Sequence, residues 1–201
     1  QGGDGVAESV TQDLVITISG TNDGPLLSTI ASPAAVVELT DASAQNIAAL
    51  TGTLTVSDRD VGDTLGASIV STTVRLNGSV YALPAGASAL ISSALSFSGS
   101  TTSDGGTKTI GWTYDPAGAS LDFLNRNDTL TITYGIQVGD GVAESATQDL
   151  VITITGTNDT PVVSAATASV AEDATVSGSV LGTDDDAGET ANHTPRPTMR
   201  K

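Results

Sequence analysis

The sequence predicts an all-β fold, a Greek-key β-sandwich, repeated in tandem along the chain. Three observations predict it. Apolar residues recur at every second position over several runs, as in Leu130, Ile132, Tyr134, Ile136 and Val138, which is the period of a strand with one buried face. Short runs of this kind are separated by Gly, Asn and Asp turn signals, and no long amphipathic helix pattern interrupts them. Finally, residues 1–23 (QGGDGVAESVTQDLVITISGTND) return 136 positions later as residues 137–159, with differences at only three of 23 positions. A strand, its preceding turn and its following linker repeated this closely mark a slice of a tandem array.

Along the chain the elements follow in order. Residues 1–23 read as the last strands and linker of a preceding repeat, and residues 24–159 as one complete repeat. Within it, Leu54-Thr55-Val56 is a short strand ending at Ser57-Asp58. Residues 74–81 form a hairpin about Asn77-Gly78, a dipeptide whose left-handed tolerance suits a two-residue turn. Residues 95–97 and 110–114 are strands on either side of a glycine-rich loop at 103–107, with Trp112 alternating in phase as a core residue. Residues 116–127 are expected to hold one helical turn. Residues 130–138 and 150–155 are the last hairpin, joined through Asp140-Gly141. The linkers GTNDGP (20–25) and GTNDTP (156–161) combine Gly, which ends a strand, with Pro, which donates nothing to a ladder. Residues 160–201 begin a third, truncated repeat, with strands expected within 168–180 and an unpatterned, loosely attached tail, ANHTPRPTMRK.

Composition narrows function. Seven Lys and Arg against 23 Asp and Glu leave a net charge of −16. Such a surface repels nucleic acid and anionic membrane, and attracts divalent cations. No apolar run reaches the length of a membrane span, so no membrane insertion is expected. The chain has no cysteine, so an extracellular domain of this kind needs a staple other than a disulfide, and bound metal is one. The single histidine, His193, lies in the tail, which argues against a Ser-His-Asp triad or a histidine-ligated zinc. No phosphate-cradling glycine loop occurs, and no carboxylate pair stands beside aromatic residues. The chain reads as a non-enzyme.

The chemistry sits in clustered oxygen ligands. The linkers offer Asn22 and Asp23, then Asn158 and Asp159. The loop after the second strand offers Asp58, Asp60 and Asp63 (DRDVGD), and its counterpart in the third repeat offers Asp184 and Asp186 in DDDAGE. Calcium takes six to eight oxygens from carboxylates, amides and backbone carbonyls. In a sandwich the loop after the second strand and the entering linker lie at the same end, and so does the hairpin loop with Asp140 and Glu144. Glu38 is expected to cross to the far end and serve the next linker. The competing reading is that Asp, Asn and Gly are ordinary turn residues on a solvated acidic surface. The recurrence of the same types at both junctions favours a cation, because that many carboxylates repel one another without one. The spacing is neither an EF-hand nor the calcium nonapeptide, which needs Asp where Ala7 stands.

The linker GTND-x-P after DLVITI, preceded by LDFLNRNDTLTITYGIQVGDG, resembles the VCBS repeat of very large bacterial surface adhesins. More distantly, the N-D-x-P linker and the D-x-D loop resemble the calcium-binding junctions of cadherins. The chain departs from the cadherin pattern at Gly20 and Gly156, where the first Asp of that linker belongs, so one ligand is missing. The resemblance implies an immunoglobulin- and cadherin-like module. It also implies a stalk of many such modules in an RTX-type protein exported by type I secretion to the bacterial cell surface, and Ca2+ as the cofactor. The expected partners are neighbouring repeats of the same chain and, through the parent, a host or biofilm surface ligand. Thr and Asp along the edge strands point to a monomer. A second reading makes the module itself the adhesive unit, binding a glycan or matrix protein through the loop at 98–107.

Overall fold

The computed structural model describes residues 5–7, 10–40, 47–116, 118–177, 180, 182–184 and 186. The strands are β1 Leu26–Leu27, β2 Val36–Val37, β3 Leu50–Ser57, β4 Thr64–Leu76, β5 Ser79–Val80 and β6 Leu95–Phe97. They continue with β7 Thr101–Thr102, β8 Thr107–Tyr114, β9 Thr129–Gly139, β10 Gln148–Thr155, β11 Val162–Val163 and β12 Gly182–Thr183. One 3-10 helical turn, Ala85–Leu90, lies between β5 and β6.

Two sheets face each other. One has the order β1-β3-β8-β6, the other β2-β10-β9-β4-β5, with β7 also pairing β4. All neighbours are antiparallel except β2, which runs parallel to β10. This is the strand order of an immunoglobulin-like Greek-key sandwich, with the first strand split between the two sheets. Residues 24–159 contain all of it.

The core forms where the inward residues of both sheets meet. β9 alternates: Leu130, Ile132, Tyr134, Ile136 and Val138 face the core, Thr131, Thr133 and Gln137 lie outward, and Gly135 is the one outward position that is also covered. β10 supplies Leu150, Ile152 and Ile154, and β3 and β8 supply Leu54, Val56, Ile110, Trp112 and Tyr114. Each such aliphatic side chain contributes roughly 1.5–3 kcal/mol on burial. Gly52 pairs with Trp112, and a Cβ there would come within 2.5 Å of the indole, so the glycine makes room for the largest core residue. In place of a disulfide between the sheets, Tyr114 and Tyr134 meet edge to face at 6.2 Å, and both hydroxyls donate to the carbonyl of Leu90 at 3.0 Å. The 3-10 turn is thereby pinned to both sheets.

Several expectations change. β4 is far longer than the segment the alternation picks out, because the register shifts between Ile69 and Ser71. The extra residue, Val70, switches the buried parity from Leu65 and Ala67 to Val74 and Leu76, which hides one continuous strand as two patterns. The helical turn expected at 116–127 is a series of tight turns instead, with Asn127 at φ 68°, and the only helix among the described residues is the 3-10 turn. In the third repeat the strands are β11 and β12, not a run within 168–177. Their pairing, Val162↔Thr183 and Val163↔Gly182, reproduces that of β1 with the end of β3, Leu26↔Ser57 and Leu27↔Val56. Strands form where a partner exists, and residues 168–177 pair with none among the described residues.

The same rule explains residues 10–25, which form no strand. Leu14, Ile16 and Ile18 are 86%, 73% and 89% exposed, whereas their repeats Leu150, Ile152 and Ile154 are fully buried. The sequence is nearly the same, but residues 14–18 pair with no strand among the described residues, whereas β10 lies beside β9. The tail at 187–201 lies outside the described residues.

Candidate metal centre

The two acidic junctions are built at opposite ends of the complete module. At the entering end, the turn after β3 carries Asp58, Asp60 and Asp63, whose nearest carboxylate oxygens all lie within 4.8 Å of one another. The D-x-D spacing folds back on itself, with Asp60 N donating to Asp58 Oδ1 at 2.9 Å. The linker docks on this loop through Asp23 N, which donates to Asp60 Oδ2 at 2.6 Å. Asn22 Nδ2 donates to Asp140 Oδ2 at 3.0 Å, bringing in the β9–β10 hairpin loop. Asp140 is itself held by the amides of Val142 and Ala143, both at 2.7 Å, and these bonds with Asn22 keep its carboxyl below the usual range. Asp63 is pushed the other way, by desolvation and then by the charges of Asp60, Asp58 and Asp140.

Asp58 decides what this cluster is. It is 3% exposed, and its Oδ2 is buried without a hydrogen-bond partner. A buried ionised oxygen left this way is costly unless a cation or a proton sits on it. A cleft of about 540 Å3 lined by Asp23, Leu26, Ser57, Asp58, Arg59 and Gly105 opens beside it, which leaves a path for an ion to enter.

The leaving end repeats this arrangement. Asp159 N donates to Asp186 Oδ2 at 3.0 Å, and Asp186 N to Asp184 Oδ1 at 3.2 Å. Asp186 is 2% exposed and its Oδ1 has no hydrogen-bond partner. Here the complete module adds groups of its own. Glu38 stands at this end, just beyond β2, and receives the amide of Thr157 on Oε2 at 3.1 Å. Burial raises its pKa to about 7 against the pull of that amide, and Asp159, Asp186 and Asp122 add to the rise. Asn158 is exposed in the linker, with its Nδ2 bonded to the carbonyl of Asp159.

Thus Asn22, Asp23, Asp58, Asp60 and Asp63 meet at one end, joined by Asp140, and Glu38, Asp159, Asp184 and Asp186 meet at the other beside Asn158. Glu144 lies against Gly139 on the hairpin instead. Asp122 and Asn125, in the turns between β8 and β9, were not singled out by the sequence. Each has a buried Oδ1 without a hydrogen-bond partner. The signal available for Asp122 was a carboxylate set among the apolar residues Leu121, Phe123 and Leu124.

The glycine that breaks the cadherin pattern has a steric cause. Gly156 lies directly under this turn, where a Cβ would clash with the carbonyl of Asn125 and stand 2.9 Å from Leu124 Cβ. Its backbone is tied there in both directions, Gly156 N to Asp128 O at 2.9 Å and Asn127 N to Gly156 O at 3.1 Å. No side chain fits beneath the Asn125 carbonyl.

The donor set is oxygen only, carboxylates with amide carbonyls, which suits a hard cation of the calcium or magnesium kind and not zinc or copper. Among the described residues no helix is long and apolar enough to cross a membrane. Compared with known proteins, no family model matches the chain, and neither does any curated protein. Among solved structures it is similar to the ASH / PapD-like domain of human CEP192, at 11% identity and a TM-score of 0.34, over 75% of this chain and 96% of that one.

Proposed function

We propose that this chain is a stalk section of a secreted, cell-surface repeat protein of the VCBS kind, a spacer whose successive sandwiches are locked in line by Ca2+ at their junctions. One observation carries the reading: each linker docks on its own acidic loop by the same pair of hydrogen bonds, Asp23 donating to Asp60 and Asp60 to Asp58 at one end, Asp159 to Asp186 and Asp186 to Asp184 at the other. A merely solvated turn has no reason to rebuild that geometry at a second place. Overlaying the two ends by the repeat gives the complete junction. The module before it supplies Glu38, Asp122 and Asn125, the linker supplies its Asn-Asp pair, and the module after it supplies Asp58, Asp60 and Asp63. Divalent cations among so many carboxylates would offset their mutual repulsion. The work of the molecule on this reading is mechanical and calcium-gated, with no catalytic step. Extracellular modules bind calcium at about 10⁻⁴–10⁻³ M, so the ion fills the junctions only outside the cell. Adhesion by the parent then draws on many such modules in parallel.

Calorimetric titration of the 201-residue chain tests this. Saturable binding of calcium in that range, with magnesium clearly weaker, supports the reading, and the absence of saturable calcium heat in the millimolar range sinks it.

A further inference from the structure

The loop between β7 and β8 holds a residue whose every polar group is spent on the acidic turn. Ser103 is 2% exposed. Its amide donates to the carbonyl of Asp63 at 2.8 Å, its carbonyl accepts from Gly62 N at 2.9 Å, and its hydroxyl donates to the carbonyl of Asp58 at 2.9 Å. The same hydroxyl accepts from Gly105 N at 3.2 Å. Ser103 therefore grips the first and the last carboxylate-bearing residue of the Asp58–Asp63 turn from one point outside it. Between these grips, three carboxylates lie within 4.8 Å of one another, an arrangement that their mutual repulsion works to open.

We infer that Ser103 is a positioning residue for the cation centre, a clasp that holds Asp58 and Asp63 at binding distance before any ion arrives. The inference rests on the calcium reading above and deepens it, since it names what preorganises the site. The two grips are not equivalent. The backbone pair to Asp63 and Gly62 extends the β4–β7 ladder, Thr64↔Thr102, and survives any side-chain change. Of Ser103's bonds to the turn, only the hydroxyl's bond to the Asp58 carbonyl is removed by substituting its side chain. Asp58 is also the residue whose Oδ2 is buried and awaits a partner, so a shift of its backbone moves the most enclosed oxygen of the set. The loop at 98–107 thus serves the junction, and its sequence, rich in Gly, Ser and Thr, gave no sign of that role.

The test is Ser103→Ala in the full chain, with Ser98→Ala as its companion. Ser98 makes a comparable bond, its hydroxyl accepting from Gly111 N at 3.0 Å, but touches no part of the acidic turn. Calcium affinity is read by titration and metal-free stability by melting in EDTA. The clasp predicts that S103A weakens calcium binding about fivefold, the equivalent of one ordinary hydrogen bond. It predicts that S98A lowers the melting temperature in EDTA while binding calcium like the wild type. Equal calcium affinity in S103A and wild type overturns the clasp and leaves the site standing. A wild type that binds no calcium overturns both. Lost affinity in S98A equal to that in S103A shows a general loosening of the sheet and also overturns the clasp.

Discussion

Asp23 donates its backbone amide to Asp60 Oδ2 at 2.6 Å, so the chain entering the module is tied to a loop 37 residues further on. Asp60 is therefore both an anchor for the linker and a ligand candidate. Asp60→Ala is expected to weaken calcium binding at the entering junction by roughly tenfold or more, since charge-assisted contacts exceed ordinary hydrogen bonds. Titration of the variant beside the wild type checks this. Unchanged affinity would remove Asp60 from the centre.

Asp63 carries the opposite signature, a carboxyl raised by desolvation and by the charges of Asp60, Asp58 and Asp140. Neutralising it relieves repulsion where no ion is bound and removes a ligand where one is. Asp63→Asn is expected to melt higher than wild type in EDTA and lower than wild type in saturating calcium. A crossing of this kind separates a ligand from a solvated turn residue, whose substitution moves both melts together.

Glu38 makes the leaving junction sensitive to pH. Its pKa rises from 4.5 to about 7 on folding, so between those values the folded state holds a proton that the unfolded state has released. The metal-free protein accordingly keeps this contribution to stability below pH 4.5 and loses it as the pH rises through 7. Calcium needs the carboxylate, so its affinity runs the other way, increasing from pH 6 to pH 8 with release of a proton. Titrations in buffers of different ionisation heat measure that proton. Glu38→Gln should flatten the pH dependence, and a variant that retains it assigns the proton elsewhere.

Gly20 and Gly156 are the same position of the repeat in two surroundings. A Cβ at Gly156 meets the carbonyl of Asn125, while one at Gly20 meets nothing within 4 Å. Gly156→Ala is expected to cost about 1–3 kcal/mol through forced displacement of the turn above it. Gly20→Ala is expected to be close to neutral. Urea unfolding of the two variants is the check, and equal costs would mean that the close approach of linker and turn is not made in solution.

Tyr114 and Tyr134 converge on the single carbonyl of Leu90. Replacing either by Phe leaves that carbonyl one donor and should cost about 1 kcal/mol. Replacing both leaves it without a tyrosine partner, so the double variant is expected to lose more than the sum of the two, in a denaturation cycle. Additive losses would show that the two bonds are independent.

Where alternation runs unbroken, the fold was legible from the sequence, and β9 and β10 fall where the period of two puts them. It was not legible where one residue breaks phase, since Val70 splits β4 into two patterns with opposite parity. The acidic loops stood out because they recur, and the linkers because GTND does. Asp122 and Asn125 escaped because the chain holds the segment around them only once, so no repeat marks it. Ser103 escaped for a different reason: a serine in a loop rich in Gly, Ser and Thr shows its role only when its three bonds to the acidic turn are seen.

The central claim is that calcium, and not charge screening, holds consecutive modules in register. Thermal melts of the 201-residue chain in EDTA, in millimolar calcium and in equal magnesium test it most directly. The account predicts a calcium-specific rise of several degrees with a steeper transition, lost when Asp58 and Asp60 are replaced together. Coincident melts in the three conditions would contradict it, and would leave the acidic junctions as solvated turns between sandwiches.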